Sequence, residues 1–210
     1  MQKNIIIYDL IFYIIFPILI FNVLQDYIGD YYAMLISSIP GVIYSSIRFV
    51  MLKKVNFFGV FIITNLAIGT LIDVLSGSAI QLLWNNIYYS YFVGGFFILS
   101  VVIKKPIFLY FSLDFVEMQG QGRDKMKELF YQRKILLIFN LITLGFAFRD
   151  ILLATIKIWL VSEYGVDAFD KGIVIRQLLS WTLTGISIYG FIYISKLLNS
   201  TDDQTKEESI

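Results

Sequence analysis

Six runs of apolar sequence, at residues 5–24, 32–51, 57–75, 86–103, 135–161 and 173–198, are separated by short polar breaks. A helix crossing the hydrocarbon core of a bilayer needs about 20 mostly apolar residues, because without water only intrahelical bonds satisfy the backbone N–H and C=O groups. The runs predict an all-α, polytopic membrane bundle of six transmembrane helices. Composition points the same way: 58% of residues are hydrophobic and 16% charged, where a soluble domain carries about a quarter charged. The first run is too long for a cleavable signal and lacks a small-residue cleavage site after it, so it is expected to remain as a helix.

Lys and Arg set the expected orientation. With a cytoplasmic N-terminus, the inside segments hold Lys3; Arg48, Lys53 and Lys54; Lys104, Lys105, Arg123, Lys125, Lys127, Arg133 and Lys134; and Lys196 and Lys206. The outside segments hold Asp26 and Asp30, then no charge at 76–86, then Glu163, Asp167, Asp170 and Lys171. Every loop obeys the positive-inside rule, which places both termini on the cytoplasmic side. Tyr27, Tyr31, Tyr32, Trp84, Tyr88, Tyr89, Trp159 and Tyr164 fall near the outer helix ends and read as an interfacial aromatic belt. KKVNFF at 53–58 echoes KKPIFL at 104–109, and the outer turns DYIGDY and EYGVDAF each carry Gly between acidic residues. That pattern is compatible with three helical hairpins in parallel orientation.

The chain divides into a transmembrane domain at 1–198 and a polar tail at 199–210, expected to be disordered. The long inside loop at 104–134 belongs to the first part. Its opening segment, PIFLYFSLDF, is too short to span and reads as an interfacial helix or re-entrant piece. Further on, Met126, Leu129 and Phe130 stand at helical spacing in a charged stretch, which predicts an amphipathic helix along the cytoplasmic surface at 123–134.

Cysteine and histidine are absent. Disulfides, thiolate nucleophiles, Ser/His/Asp hydrolysis and the commonest metal ligands are thereby excluded, and no DxxD carboxylate pair lies on an apolar run. Neither catalysis, metal nor cofactor is expected. A net charge of +1 gives no footing for nucleic acid.

The polar residues inside the runs form stripes. In 135–161 the series Asn140, Thr143, Ala147, Asp150, Ala154, Lys157 advances by three and four residues, so it occupies one helix face. Arg149 is rotated roughly 100° from Asp150. Comparable stripes are Ser38, Gly41, Ser45 and Arg48; Asn65, Gly69 and Asp73; Asn86, Ser90 and Gly94; and Arg176, Ser180, Thr184 and Ser187. Facing one another, they would give the bundle a polar centre with Asp73, Arg149, Asp150, Lys157 and Arg176 in its outer half. A charge at a helix centre costs about 2.5–3.5 kcal/mol on insertion scales, so such groups are usually paired or hydrated. Arg149 stands roughly 21 Å from the inner end of its helix, too far to reach the surface cheaply. Asp73 is its expected partner, since the adjacent Asp150 faces away. The same residues admit three readings: ion pairs that fix packing, an outward-side polar cavity for an anionic or zwitterionic ligand, and a proton relay through Asp73 or Asp150.

The sequences FFILSVVIKKPIFLYF and FNLITLGFAFRDILLATIKIWLV, with Lys105, Pro106, Phe108 and Tyr110 as the shared basic-proline-aromatic element, resemble a family of six-pass bacterial inner-membrane proteins. More distantly they resemble the intracellular septation protein A family, with Ile107 here where that pattern has Thr. The resemblance spans most of residues 8–195. It implies an inner-membrane protein linked to envelope integrity or division.

Two functional expectations follow. One is a small-solute transporter or ligand-binding membrane protein using Asp73, Arg149, Asp150, Lys157 and Arg176, with Asn65, Asn86, Ser90, Asn140, Thr143, Ser180 and Thr184 as secondary lining. The other is a non-catalytic envelope scaffold that meets a protein partner through the 123–134 helix or through its lipid-facing aromatic surface.

Overall fold

A computed structural model of the chain describes residues 7–51, 56–120 and 122–207. Among these, eight helices follow one another with no strand: α1 (Ile7–Ile28), α2 (Asp30–Met51), α3 (Phe57–Leu75), α4 (Ala79–Val102), α5 (Ile107–Met118), α6 (Arg123–Phe130), α7 (Arg133–Tyr164) and α8 (Ala168–Glu207). Ile7–Ile28, Asp30–Val50, Phe57–Leu75 and Arg133–Ile194 are long and apolar enough to cross a membrane, and α4 with α5 makes a fifth if that bent pair is one span. These helices mark a membrane protein.

The chain forms two compact units: residues 1–92 with 150–179, and 93–149 with 180–210. In unit 1, the turns after α1, α3 and α7 each contain a glycine with positive φ, at Gly29 (80°), Gly77 (74°) and Gly165 (58°). This left-handed backbone costs glycine nothing and ends a helix abruptly. The two glycines seen between acidic residues in the sequence, Gly29 and Gly165, are both of this kind. Lys53 and Lys54, in the first copy of the suspected repeat, lie outside the described residues.

The predicted stripe on α2 faces α1. Ser45 Oγ lies 2.8 Å from Tyr13 Oη, Arg48 reaches Asp9 at 2.9 Å, and Asp9 also accepts from Tyr44 at 2.9 Å. Phe12 stacks on Tyr44 at 4.8 Å. A π-helical segment at Ile11–Ile15 precedes Pro17, which lacks the N–H that would continue the α-ladder. Phe21, Met34, Leu82, Leu83, Ile87, Ala154 and Leu160 form the core of this unit.

In unit 2 a second core joins Leu109 and Leu113 of α5, Phe130 of α6, Ile135 and Phe139 of α7 and Ile194 of α8. Here α7 and α8 approach closely: a Cβ on Gly190 would lie 3.1 Å from Ile142 Cδ1, and one on Gly145 would lie 3.8 Å from Leu183. In unit 1 a Cβ on Gly172 would lie 3.7 Å from Lys157 Cε. Residues farther from the Gly165 turn on α7 thus meet residues farther from it on α8, as in an antiparallel hairpin.

Three boundaries differ from the sequence reading. The α4 helix begins at Ala79 rather than 86, because Ser78 caps it, its Oγ accepting from Gln81 N at 3.2 Å; the first turns, AIQLLW, are mostly apolar, and Asn85 and Asn86 interrupt the apolar run within the helix. The predicted 123–134 helix ends at Phe130; α7 already starts at Arg133. The α8 helix starts at Ala168 and runs to Glu207, into the polar tail.

The α4–α5 junction turns through 82°. Lys105 N donates to Ser100 O (2.8 Å) and Lys104 N to Val101 O (2.9 Å), the bond pattern of a Schellman stop. Lys104 occupies the left-handed position with φ 57°, the one non-glycine to do so among the described residues. Glycine there would remove a cost of about 1–2 kcal/mol. Lys104→Gly is therefore expected to stabilise the protein by about 1 kcal/mol in a detergent melt; no gain in melting temperature would mean that the side chain compensates for its backbone.

Candidate functional site

The α3–α4 hairpin in unit 1 carries a ladder of polar contacts. Nearest the turn, Asn85 Nδ2 donates to Ser76 Oγ at 2.9 Å. One step deeper, Asn86 Nδ2 donates to Asp73 Oδ1 at 2.7 Å. Deeper still, Tyr89 Oη donates to Asn65 Oδ1 at 2.8 Å. The stripes expected on these helices therefore do meet, with Ser90 beside them returning its hydroxyl to Asn86 O at 2.8 Å. Interhelical hydrogen bonds of this kind hold helices together where lipid provides no hydrophobic drive, at roughly 0.6 kcal/mol each.

Charge gathers around this ladder. Lys157 of α7 and Arg176 of α8 lie close enough to act electrostatically on Asp73, and Lys157 also feels Asp150. Asp150 in turn acts on Tyr89. Asp150 is buried, Asp73 and Lys157 are half-buried and Arg176 is exposed. Four of the five charged candidates are thus in one unit, two cations against two carboxylates. The fifth, Arg149, belongs to unit 2, where its Cζ stands 5.0 Å over the Phe146 ring. A desolvated guanidinium on an aromatic face gains about 2 kcal/mol, a form of compensation that a search for carboxylates alone overlooks.

The remaining lining candidates are also in unit 2. Thr143 is fully buried and donates to Phe139 O at 2.8 Å, while Asn140 has its side-chain oxygen buried with no hydrogen bond. Thr184 is exposed and donates to Ser180 O at 2.8 Å, so its hydroxyl serves its own helix.

Two open grooves flank α3. One, of about 480 Å³, runs beside the polar ladder and is lined by Ile68, Leu71, Leu75, Asn85, Tyr89 and Phe92 among others. The other, of about 410 Å³, lies between α2 and α3 along Val42, Leu66, Thr70 and Val74. Both are mostly apolar. Among the described residues, no group of three or more Asp or Glu side chains is placed to hold a metal ion.

Several residues acquire roles that the sequence did not give them. Tyr31 and Tyr89 read as belt aromatics, but Tyr31 donates to the carbonyls of Asp73 (3.2 Å) and Val74 (2.7 Å), closing the C-terminal end of α3. Tyr27, Tyr32, Tyr88, Trp159 and Tyr164 do remain exposed. Asp9 gains its role from packing alone, accepting from both Arg48 and Tyr44. Between α5 and α6, Asp114 is buried and Arg123 bonds both it and Glu117 at 2.7 Å. The tyrosine pair Tyr110 and Tyr131 closes the same region at 3.2 Å, and burial together with that contact pushes the Tyr131 phenol up to about 12.

No protein-family model, no curated protein sequence and no solved structure matches this chain.

Proposed function

We propose that the chain is a six-pass inner-membrane protein with both termini in the cytoplasm, and that its charged cluster in unit 1 binds a small zwitterionic or anionic ligand as a non-enzymatic transporter or binding protein. The six-pass reading is supported by the Gly165 turn, which divides the 62-residue stretch Arg133–Ile194 into two antiparallel helices, and by the distribution of Lys and Arg. Counting the bent α4–α5 pair as one crossing then gives six.

The observation that carries the ligand reading is the convergence of Asp73, Asn86, Asp150, Lys157 and Arg176 from four helices of one unit. With two charges of each sign, the cluster matches a ligand that bears both. The scaffold reading has less support in its α6 form, because Phe130 is buried and Met126 packs on the core of unit 2 itself, leaving that apolar face engaged.

The chain has no cysteine, which makes a direct test possible. Ser90→Cys, beside Asn86, is expected to react with a membrane-impermeant charged thiol reagent applied from the outside, and an excess of a zwitterionic amino acid should slow the reaction if it occupies the site. Labelling only by a lipid-soluble maleimide would show a dry cluster and end the ligand reading.

A further inference from the structure

The α4–α5 elbow in unit 2 is built from four features that independently concern a bilayer surface. The chain turns 82° between α4 and α5, so if α4 crosses the membrane, α5 lies nearly along its surface. Val102 and Ile103, at the end of α4, are exposed and apolar, and Lys104 and Lys105 follow directly, both exposed. Apolar side chains thus give way to two ammonium groups over four residues, as hydrocarbon gives way to headgroup phosphate. On α5, Leu109, Leu113 and Asp114 are buried, whereas Phe115 is 62% exposed and Met118 also points outward, giving the crosswise helix an apolar edge of its own.

The fourth feature is Lys104 itself. A glycine would satisfy the left-handed stop at lower cost; lysine meets the same backbone requirement and adds a cation at the bend. Strained positions of this sort concentrate where a side chain has a task. The surrounding charge is in basic excess: Arg133, Lys134 and Lys196 are exposed in the same unit, Asp114 and Glu117 are held by Arg123, and the exposed carboxylates Asp124 and Glu128 stand on α6 beside Lys125 and Lys127.

We propose that this elbow, with Lys104 and Lys105 as its charged element and Val102, Ile103, Phe115 and Met118 as its apolar flank, is a binding site for anionic phospholipids of the adjoining leaflet. Cations alone would equally suit nucleic acid or an acidic protein; cations bordered by exposed apolar side chains at a helix bend suit a molecule that offers phosphate and acyl chain together. This site is separate from the charged cluster of unit 1 and does not depend on what that cluster binds.

Native mass spectrometry of the full chain in detergent tests it, with phosphatidylglycerol and phosphatidylcholine titrated in parallel. The wild type should retain phosphatidylglycerol in preference to phosphatidylcholine. Each basic residue near an anionic surface changes affinity about fivefold, so Lys104→Gly with Lys105→Gln should weaken phosphatidylglycerol binding by about 25-fold and leave phosphatidylcholine unchanged. Lys104→Gln with Lys105→Gln should behave alike, and melting of either variant no lower than that of the wild type excludes misfolding as the cause. Lys125→Gln with Lys127→Gln, on α6, should have an effect several-fold smaller. The proposal is overturned if the elbow variants keep the lipid preference, if the α6 variant loses it equally, or if inorganic phosphate at matched concentration displaces the lipid.

Discussion

Arg123→Ala is expected to destabilise unit 2 by about 3 kcal/mol, the largest effect of any single replacement between residues 104 and 134. Asp114 has no exposed side-chain surface, and its carboxylate receives Arg123 Nη1 at 2.7 Å. Removing one partner of a buried ion pair strips the other of its main compensation, at a cost of about 3–5 kcal/mol where nothing replaces it. The lower end applies because the Arg123 side chain is 37% exposed, so water can enter the vacated position. Glu117 contacts the same guanidinium but is 52% exposed, and Glu117→Ala should cost under about 1 kcal/mol. Those two carboxylates raise the basicity of Arg123, Glu117 contributing more, so the cation persists at any workable pH. Combining Arg123→Ala with Asp114→Asn should restore about half the loss, since no charge is then stranded. Chemical denaturation in detergent, with proteolysis at the 119–122 connection as a local readout, measures each. Equal effects from Glu117→Ala and Arg123→Ala would show that Asp114 is not the residue that makes Arg123 necessary.

The position of the long helices was legible because hydrophobic length is a local property, and the stripe on α2 was legible because small and polar residues at helical spacing gain nothing from facing lipid. Its partner was not. Asp9 sits within the first turns of the first run, where no spacing marks a partner for it, and only packing brings it to Arg48 and Tyr44. Tyr31 and Tyr89 show a related limit: an aromatic near a helix end looks the same whether its hydroxyl meets headgroups or a neighbouring helix. The motif KKP announced that α4 stops. The 82° turn that follows depends on Lys104 adopting a left-handed φ, which its side chain does not favour and sequence therefore does not forecast. Likewise, nothing in the sequence pairs Asp114 with Arg123; what buries Asp114 is the packing of α5 against α6 and α7, a tertiary event.

The charged cluster of unit 1 yields the second large effect. Asp73→Ala is expected to cost about 2 kcal/mol, because Lys157 and Arg176 then lose one of the carboxylates that offset them and a lone intramembrane cation costs about 2.5–3.5 kcal/mol at full depth. Asp150 retains part of the compensation for Lys157, which keeps the loss below that ceiling. Asn86→Ala should cost only about 0.6 kcal/mol, the usual worth of one interhelical hydrogen bond. A double-mutant cycle of Asp73→Ala with Lys157→Met isolates the charge interaction, and a matched cycle with Arg149→Ala tests the pairing that sequence spacing favoured. The size of the coupling also separates the functional readings. Opposite charges 4 Å apart interact by about 1 kcal/mol across water and about 4 kcal/mol at the effective dielectric of a protein surface. A hydrated ligand site therefore predicts a coupling of about 1 kcal/mol between Asp73 and Lys157 that shrinks as salt is added. A coupling above about 3 kcal/mol, unchanged by salt, would identify a dry ion pair whose work is to pack the helices, and the cluster would then have no room for a ligand.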